Sequence, residues 1–122
     1  MNRMPNQKPV VLLVDDELET LSVLEATLRS SGYELLTADR GRKALEIAAG
    51  RPLDLVIADY RMPEMDGMEL LERLKSEYPE LPVVMLTAEE SIQLAVKAIK
   101  AGAFDYLNKP FNYHQIQIVA EK

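Results

Sequence analysis

The stretch Val10-Val11-Leu12-Leu13-Val14-Asp15-Asp16-Glu17 sets the reading of the chain. Five apolar residues run without polar alternation and stop abruptly at three acids. A run of this kind is how a strand covered on both faces reads, which is the habit of parallel sheets. Pro82-Val83-Val84-Met85-Leu86 repeats the pattern and is followed at once by Thr87, and Leu53-Asp54-Leu55-Val56-Ile57-Ala58 is a further short apolar, β-branched run, followed at once by Asp59. Glu34-Leu35-Leu36-Thr37-Ala38 and the brief Asp105-Tyr106-Leu107 are weaker strands of the same series.

Between the strands the apolar period changes. Leu18, Leu21, Leu24 and Leu28 fall on one helical face, Ala44, Leu45 and Ala48 on another, and Leu70, Leu71 and Leu74 on a third. Ile92, Ala95, Val96 and Ile99 follow the same spacing, and Ile116, Val119 and Ala120 open a fifth helix. Gly32, Gly50 and Gly102 are placed to end helices, and Asp39 to cap the start of the second. Strands alternating with helices predict βαβ units, and hence an α/β doubly wound, five-stranded parallel sheet flanked by five helices in three layers.

The 122 residues allow one domain. Residues 1–7 read as a flexible N-terminal extension and 8–122 as the folded unit. The last helix reaches Lys122 with no Gly or Pro stop, so the segment is expected to be excised from a longer polypeptide. The net charge of −6 argues against nucleic acid as a direct partner, because phosphate backbones reward clustered Lys and Arg. Without cysteine there is no disulfide, zinc-thiolate site or thiol nucleophile. No stretch reads as a signal peptide or a bilayer span, so no membrane is expected as a partner and the cytoplasm is the expected location.

In a parallel sheet the C-terminal ends of the strands share one edge, where ligands bind. Asp15, Asp16 and Glu17, then Asp59, Thr87 and Lys109, all follow strands and so meet at that edge. Two carboxylates about 4 Å apart repel by roughly 4 kcal/mol at an effective dielectric near 20. A cluster of them therefore calls for a cation. An oxygen-only donor set selects a hard divalent ion, and Mg²⁺ fits best. A carboxylate nucleophile, a metal, a lysine ammonium and a hydroxyl together describe phosphoryl transfer to an aspartate. Each residue has a plainer reading: a helix cap for the acidic run or for Thr87, the start of a loop for Asp59, a solvated lysine for Lys109. Four such coincidences at four strand ends make the joint functional reading the better one.

With these residues in view, the chain resembles the receiver domain of two-component response regulators over essentially its whole length. The resemblance rests on Val14-Asp15-Asp16-Glu17, Asp59-Tyr60-Arg61-Met62-Pro63-Glu64-Met65-Asp66-Gly67, Leu86-Thr87-Ala88, Ala101-Gly102-Ala103 and Lys109-Pro110-Phe111, in that order. It implies the flavodoxin-like strand order 2-1-3-4-5, which members of this family share. It implies Asp59 as the phosphoacceptor, taking a phosphoryl group from a sensor histidine kinase or a small donor. Asp16, Asp59 and the backbone carbonyl of Arg61 would ligate Mg²⁺ (or Mn²⁺), with Asp15 acting through water. Thr87 and Lys109 would bind phosphoryl oxygens, beside the small Ala88, and Lys109-Pro110 would be cis. Thr87 and Tyr106 would form the switch, moving the face of the fourth helix, fifth strand and fifth helix, which is also the natural homodimer surface. Phe111 is expected to pack in the core, and His114 is assigned no role.

Arg61 and Glu89 lie two residues past Asp59 and Thr87, so they are expected to flank the mouth of the site and to gate water from it. The segment from Ala101 to Phe111 resembles receivers of transcriptional activators that carry an ATPase and a DNA-binding domain, which makes transcription the expected output. The alternative is a small Mg²⁺-dependent phosphohydrolase with an Asp nucleophile, for which 122 residues leave no segment to build a substrate cap. On the receiver reading the chain is a signalling domain rather than an enzyme, limited to self-catalysed phosphotransfer and autodephosphorylation.

Overall fold

A computed structural model describes residues 8–87, 92–108 and 120. The strands are β1 (Val10–Val14), β2 (Glu34–Ala38), β3 (Leu55–Asp59), β4 (Val83–Thr87) and β5 (Asp105–Asn108), and the helices are α1 (Leu18–Arg29), α2 (Gly41–Gly50), α3 (Gly67–Glu77) and α4 (Ile92–Lys100). All strands pair in parallel in the order β2-β1-β3-β4-β5. The α/β doubly wound sheet read from the sequence is thus present, with four helices among the described residues. Ala120 is helical, but the rest of the expected fifth helix lies outside the described residues, as do residues 1–7.

Strand alternation sorts the core into two layers. Leu12, Val14, Val56, Ala58, Val83 and Met85 face one way and pack with Ala44 and Ala48 of α2, Leu70, Leu71 and Leu74 of α3, and Ala98 of α4. Val11, Leu13, Leu55, Ile57, Val84 and Leu86 face the other way and pack with Leu21, Leu24 and Leu28 of α1, with Ala120 against them. Every position of β1, β3 and β4 is buried, as uninterrupted apolar runs require. The outer strands β2 and β5 are mostly half-buried, consistent with their weaker patterns.

Two local expectations need correction. Leu18 does not join the buried face of α1 but is 72% exposed. At about 100° per residue it lies about 60° to one side of Leu21, while burial extends to the other side through Leu24 and Thr27. Asp39 does not cap α2; the N-cap position is Arg40, which is extended and offers no side-chain acceptor. Asp39 instead accepts from Arg40 Nε at 3.3 Å. The helix starts one residue after the Arg40 cap, at Gly41, where an added Cβ would meet Met65 Sδ at 2.8 Å.

The turn from α4 into β5 decides where Tyr106 sits. Gly102 has φ of 107°, Ala103 N donates to Ala98 O at 2.9 Å, and Gly102 N donates to Ile99 O at 3.0 Å. These paired bonds close α4 as a Schellman motif, whose left-handed residue suits glycine. The chain then enters the sheet with Phe104 N bonded to Val83 O at 2.7 Å, which sets Tyr106 opposite Met85. Among the described residues, no helix is long and apolar enough to cross a membrane.

Candidate functional site

Register carries the acids to one level. Val14 pairs with Ala38 on one side and Ala58 on the other, so Asp15 and Asp59 each come one residue later on adjacent strands. Asp15 and Asp59 are buried and Asp16 is exposed, yet one carboxylate oxygen from each lies within 4.8 Å of the others. Asp15 is held on both sides: its N–H donates to Ala38 O at 3.1 Å, and its Oδ1 accepts from Glu17 N at 2.9 Å. That last bond bends the chain from β1 into α1 and leaves Asp16 on the outside of the turn.

Asp59 is the final residue of β3, and its register partner is Leu86. Thr87, the next residue of β4, is 1% exposed. By alternation Thr87 shares its face with Met85, and Tyr106 packs on that same layer. Thr87 and Tyr106 are therefore diagonal neighbours on adjacent strands, close enough for long side chains to interact. Arg61 is exposed, with its guanidinium carbon 5.8 Å from the centroid of the Tyr60 ring, a cation–π distance. Ala88, Glu89 and Lys109 lie outside the described residues, and so do the Lys109-Pro110 peptide, Phe111 and His114.

The loop between β3 and α3 closes on the strand it leaves. Tyr60 N donates to Leu86 O at 2.7 Å, and Tyr60 O accepts from Gly67 N at 2.7 Å. Inside this loop Met65 N bonds Pro63 O at 2.8 Å, and Glu64 takes a left-handed φ of 70°. Asp66 caps α3 by accepting from Glu69 N at 2.9 Å. Besides carrying the resemblance, these residues build the loop and start α3. The signal was present, since Asp66 followed three residues later by Glu69 is a helix-start pattern.

The donor set suits a hard divalent cation. Three carboxylates converge, two of them buried, and no imidazole or thiolate stands among the clustered residues. Burial of two acids side by side is the arrangement that a cation relieves.

The sequence profile described as the response regulator receiver domain matches residues 11–121. The chain belongs to that family. This receiver domain is 44% identical over 112 residues to the transcriptional regulatory protein ZraR of Escherichia coli O157:H7, covering 92% of the chain and 25% of ZraR. It is 39% identical over 116 residues to the DNA-binding transcriptional regulator NtrC of Escherichia coli K12, covering 95% of the chain and 25% of NtrC. The crystal structure of the receiver domain of NtrX from Brucella abortus superposes with a TM-score of 0.87 at 37% identity, covering 91% of this chain and 94% of that one. The receiver domain spans about a quarter of the length of the curated relatives it matches.

Proposed function

We propose that this receiver domain accepts a phosphoryl group on Asp59 and switches a distant face in response. A carboxylate oxygen of Asp59 attacks phosphorus, the bond to the donor imidazole of a histidine kinase breaks, and the imidazole keeps the electron pair. The product is an acyl phosphate. The observation that carries this reading is the convergence of Asp15, Asp16 and Asp59 at one sheet edge.

Asp16, Asp59 and the carbonyl of Arg61 would hold Mg²⁺ or Mn²⁺, with Asp15 engaged through water. Such an ion neutralises charge on the phosphoryl oxygens when bound. Thr87 donates its hydroxyl to one phosphoryl oxygen and Lys109 pairs with another, while Ala88 leaves room beside them. The added phosphoryl charge, about −1.5 to −2 by analogy with phosphoserine, draws Thr87 inward and shifts a pre-existing equilibrium. Tyr106 follows into the space left on the shared face. Arg61 and Glu89 close the mouth and slow the attack of water, so that autodephosphorylation is slow.

The output surface is α4, β5 and the expected fifth helix, which also serves as the homodimer face. Similarity to ZraR and NtrC, regulators of transcription by their names, supports control of transcription in the cytoplasm, with nucleic acid contacted elsewhere than by this domain. The family match does not favour the phosphohydrolase alternative.

Incubation with acetyl phosphate and Mg²⁺ followed by intact mass measurement tests the reading. One phosphoryl adduct on the parent and none on Asp59→Ala is the expected result. Labelling of the variant equal to that of the parent, or no labelling of either, overturns it.

A further inference from the structure

We propose that Gly67 is a positioning residue for Asp59, its missing side chain allowing α3 to hold the acidic cluster closed. The inference rests on the phosphoacceptor reading above and adds a residue to it.

The first turn of α3 lies against the backbone of the final strand residue. A Cβ at Gly67 would fall well inside contact distance of the Asp59 carbonyl oxygen, 2.8 Å from Tyr60 Cα and 2.7 Å from Met85 Cε. Two of these three neighbours are backbone, which has no rotamer by which to yield. The Gly67 N–H meanwhile bonds Tyr60 O at 2.7 Å, and Tyr60 N bonds Leu86 O at 2.7 Å. Tyr60, the residue that follows Asp59, is thus held between α3 through its carbonyl and β4 through its N–H. Its position fixes the Cα of Asp59, and through it the carboxylate.

Any side chain at residue 67 must push α3 and this backbone apart. Pre-organised sites lose about 10²-fold in rate for a displacement near 1 Å, and metal–ligand distances tolerate only about 0.2 Å. Gly50, with nothing within 4 Å of its added Cβ, supplies the contrast.

The test compares the parent with Gly67→Ala, Gly67→Ala/Met85→Ala and Gly50→Ala, each with Asp59 intact and as Asp59→Asn. Mg²⁺ affinity is read from the dependence of Tm on Mg²⁺ concentration, and the labelling rate from intact mass with acetyl phosphate. Gly67→Ala is expected to weaken Mg²⁺ about 10-fold or more and to slow labelling about 10²-fold, with Gly50→Ala unchanged. In the Asp59→Asn background the Gly67 substitution should alter Mg²⁺ affinity less than about twofold, the non-additivity that marks two residues acting as one. Truncating Met85 should not restore either quantity, because the backbone obstruction stays.

Parental affinity and labelling in Gly67→Ala overturn the inference while leaving the phosphoacceptor reading intact. Equal loss with Asp59 or Asn at residue 59, or rescue by Met85→Ala, overturns it in favour of plain core packing. Failure of both Gly67 variants to melt cooperatively does the same. A parent that takes no phosphoryl group overturns the functional reading, and the inference with it.

Discussion

A carboxylate oxygen of Asp15 lies within 4.8 Å of one from Asp59, and the two residues are 0% and 6% exposed. At an effective dielectric near 20, two unit charges so placed repel by about 3–4 kcal/mol. The bond from Glu17 N to Asp15 offsets part of this. Asp59→Asn removes one charge at nearly constant shape, so it should stabilise the metal-free fold by about 1 kcal/mol, raising Tm by about 4 °C. Added Mg²⁺ should then stabilise the parent more than the variant. Thermal melts in chelator and in Mg²⁺ decide it, and equal shifts on adding metal would count against the site.

Arg61 and Glu89 are expected to act on the lifetime of the phosphoryl group. An exposed ion pair is worth about 0–1 kcal/mol, which limits the gain in dephosphorylation rate on removing either partner to about fivefold. Loss of the adduct by Arg61→Ala and Glu89→Ala, timed by intact mass after removal of donor, should be faster than in the parent. Rates unchanged in both would discard the gate.

The two ends of the apolar stripe on α1 should respond differently to truncation. Leu24 is fully buried between helix and sheet, so Leu24→Ala should cost about 2–5 kcal/mol. Leu18→Ala removes a side chain that is 72% exposed and should change stability by no more than about 0.5 kcal/mol. Urea melts of the two variants measure both. A large loss at Leu18 would show that the residue is covered in solution.

One pH dependence follows from the forked pair between Arg51 and Glu34, at 2.9 and 3.0 Å. The hydrogen bond from Arg51 holds the Glu34 carboxyl below its ordinary value of 4.5. A carboxyl with a lowered folded pKa stabilises the fold above its unfolded pKa, and the contribution fades as acid carries it through the folded value. Glu34→Gln should therefore lower Tm slightly at neutral pH, with the gap to the parent closing below pH 4.5. Both side chains are exposed, so salt should shrink the effect, and a gap that widens in acid would contradict it.

The strands were legible because short β-branched runs without polar alternation, such as residues 10–14, fit strands buried on both faces, and burial is what each position of β1, β3 and β4 shows. The gathering of Asp15, Asp16 and Asp59 followed from parallel strands ending together. Leu18 was misread because a period of 3.6 tells which residues share a face, not how far around the helix the sheet reaches. The start of α2 differs from a cap at Asp39 because the extended N-cap residue is Arg40, whose side chain offers no acceptor, and helix ends are the least legible part of a sequence pattern. Gly67 carried no local sign of its role, since the backbone it touches belongs to another element.

Asp59 stands in the rank of sheet residues whose layer holds α1, whereas Thr87 and Tyr106 stand in the rank whose layer holds α2, α3 and α4. The sheet thus separates the two ranks, which come together at the ends of its strands. On the proposed function, a small anion lodged at the rim would stand at the border of both ranks, so that its arrival would be felt on the α4 side of the sheet.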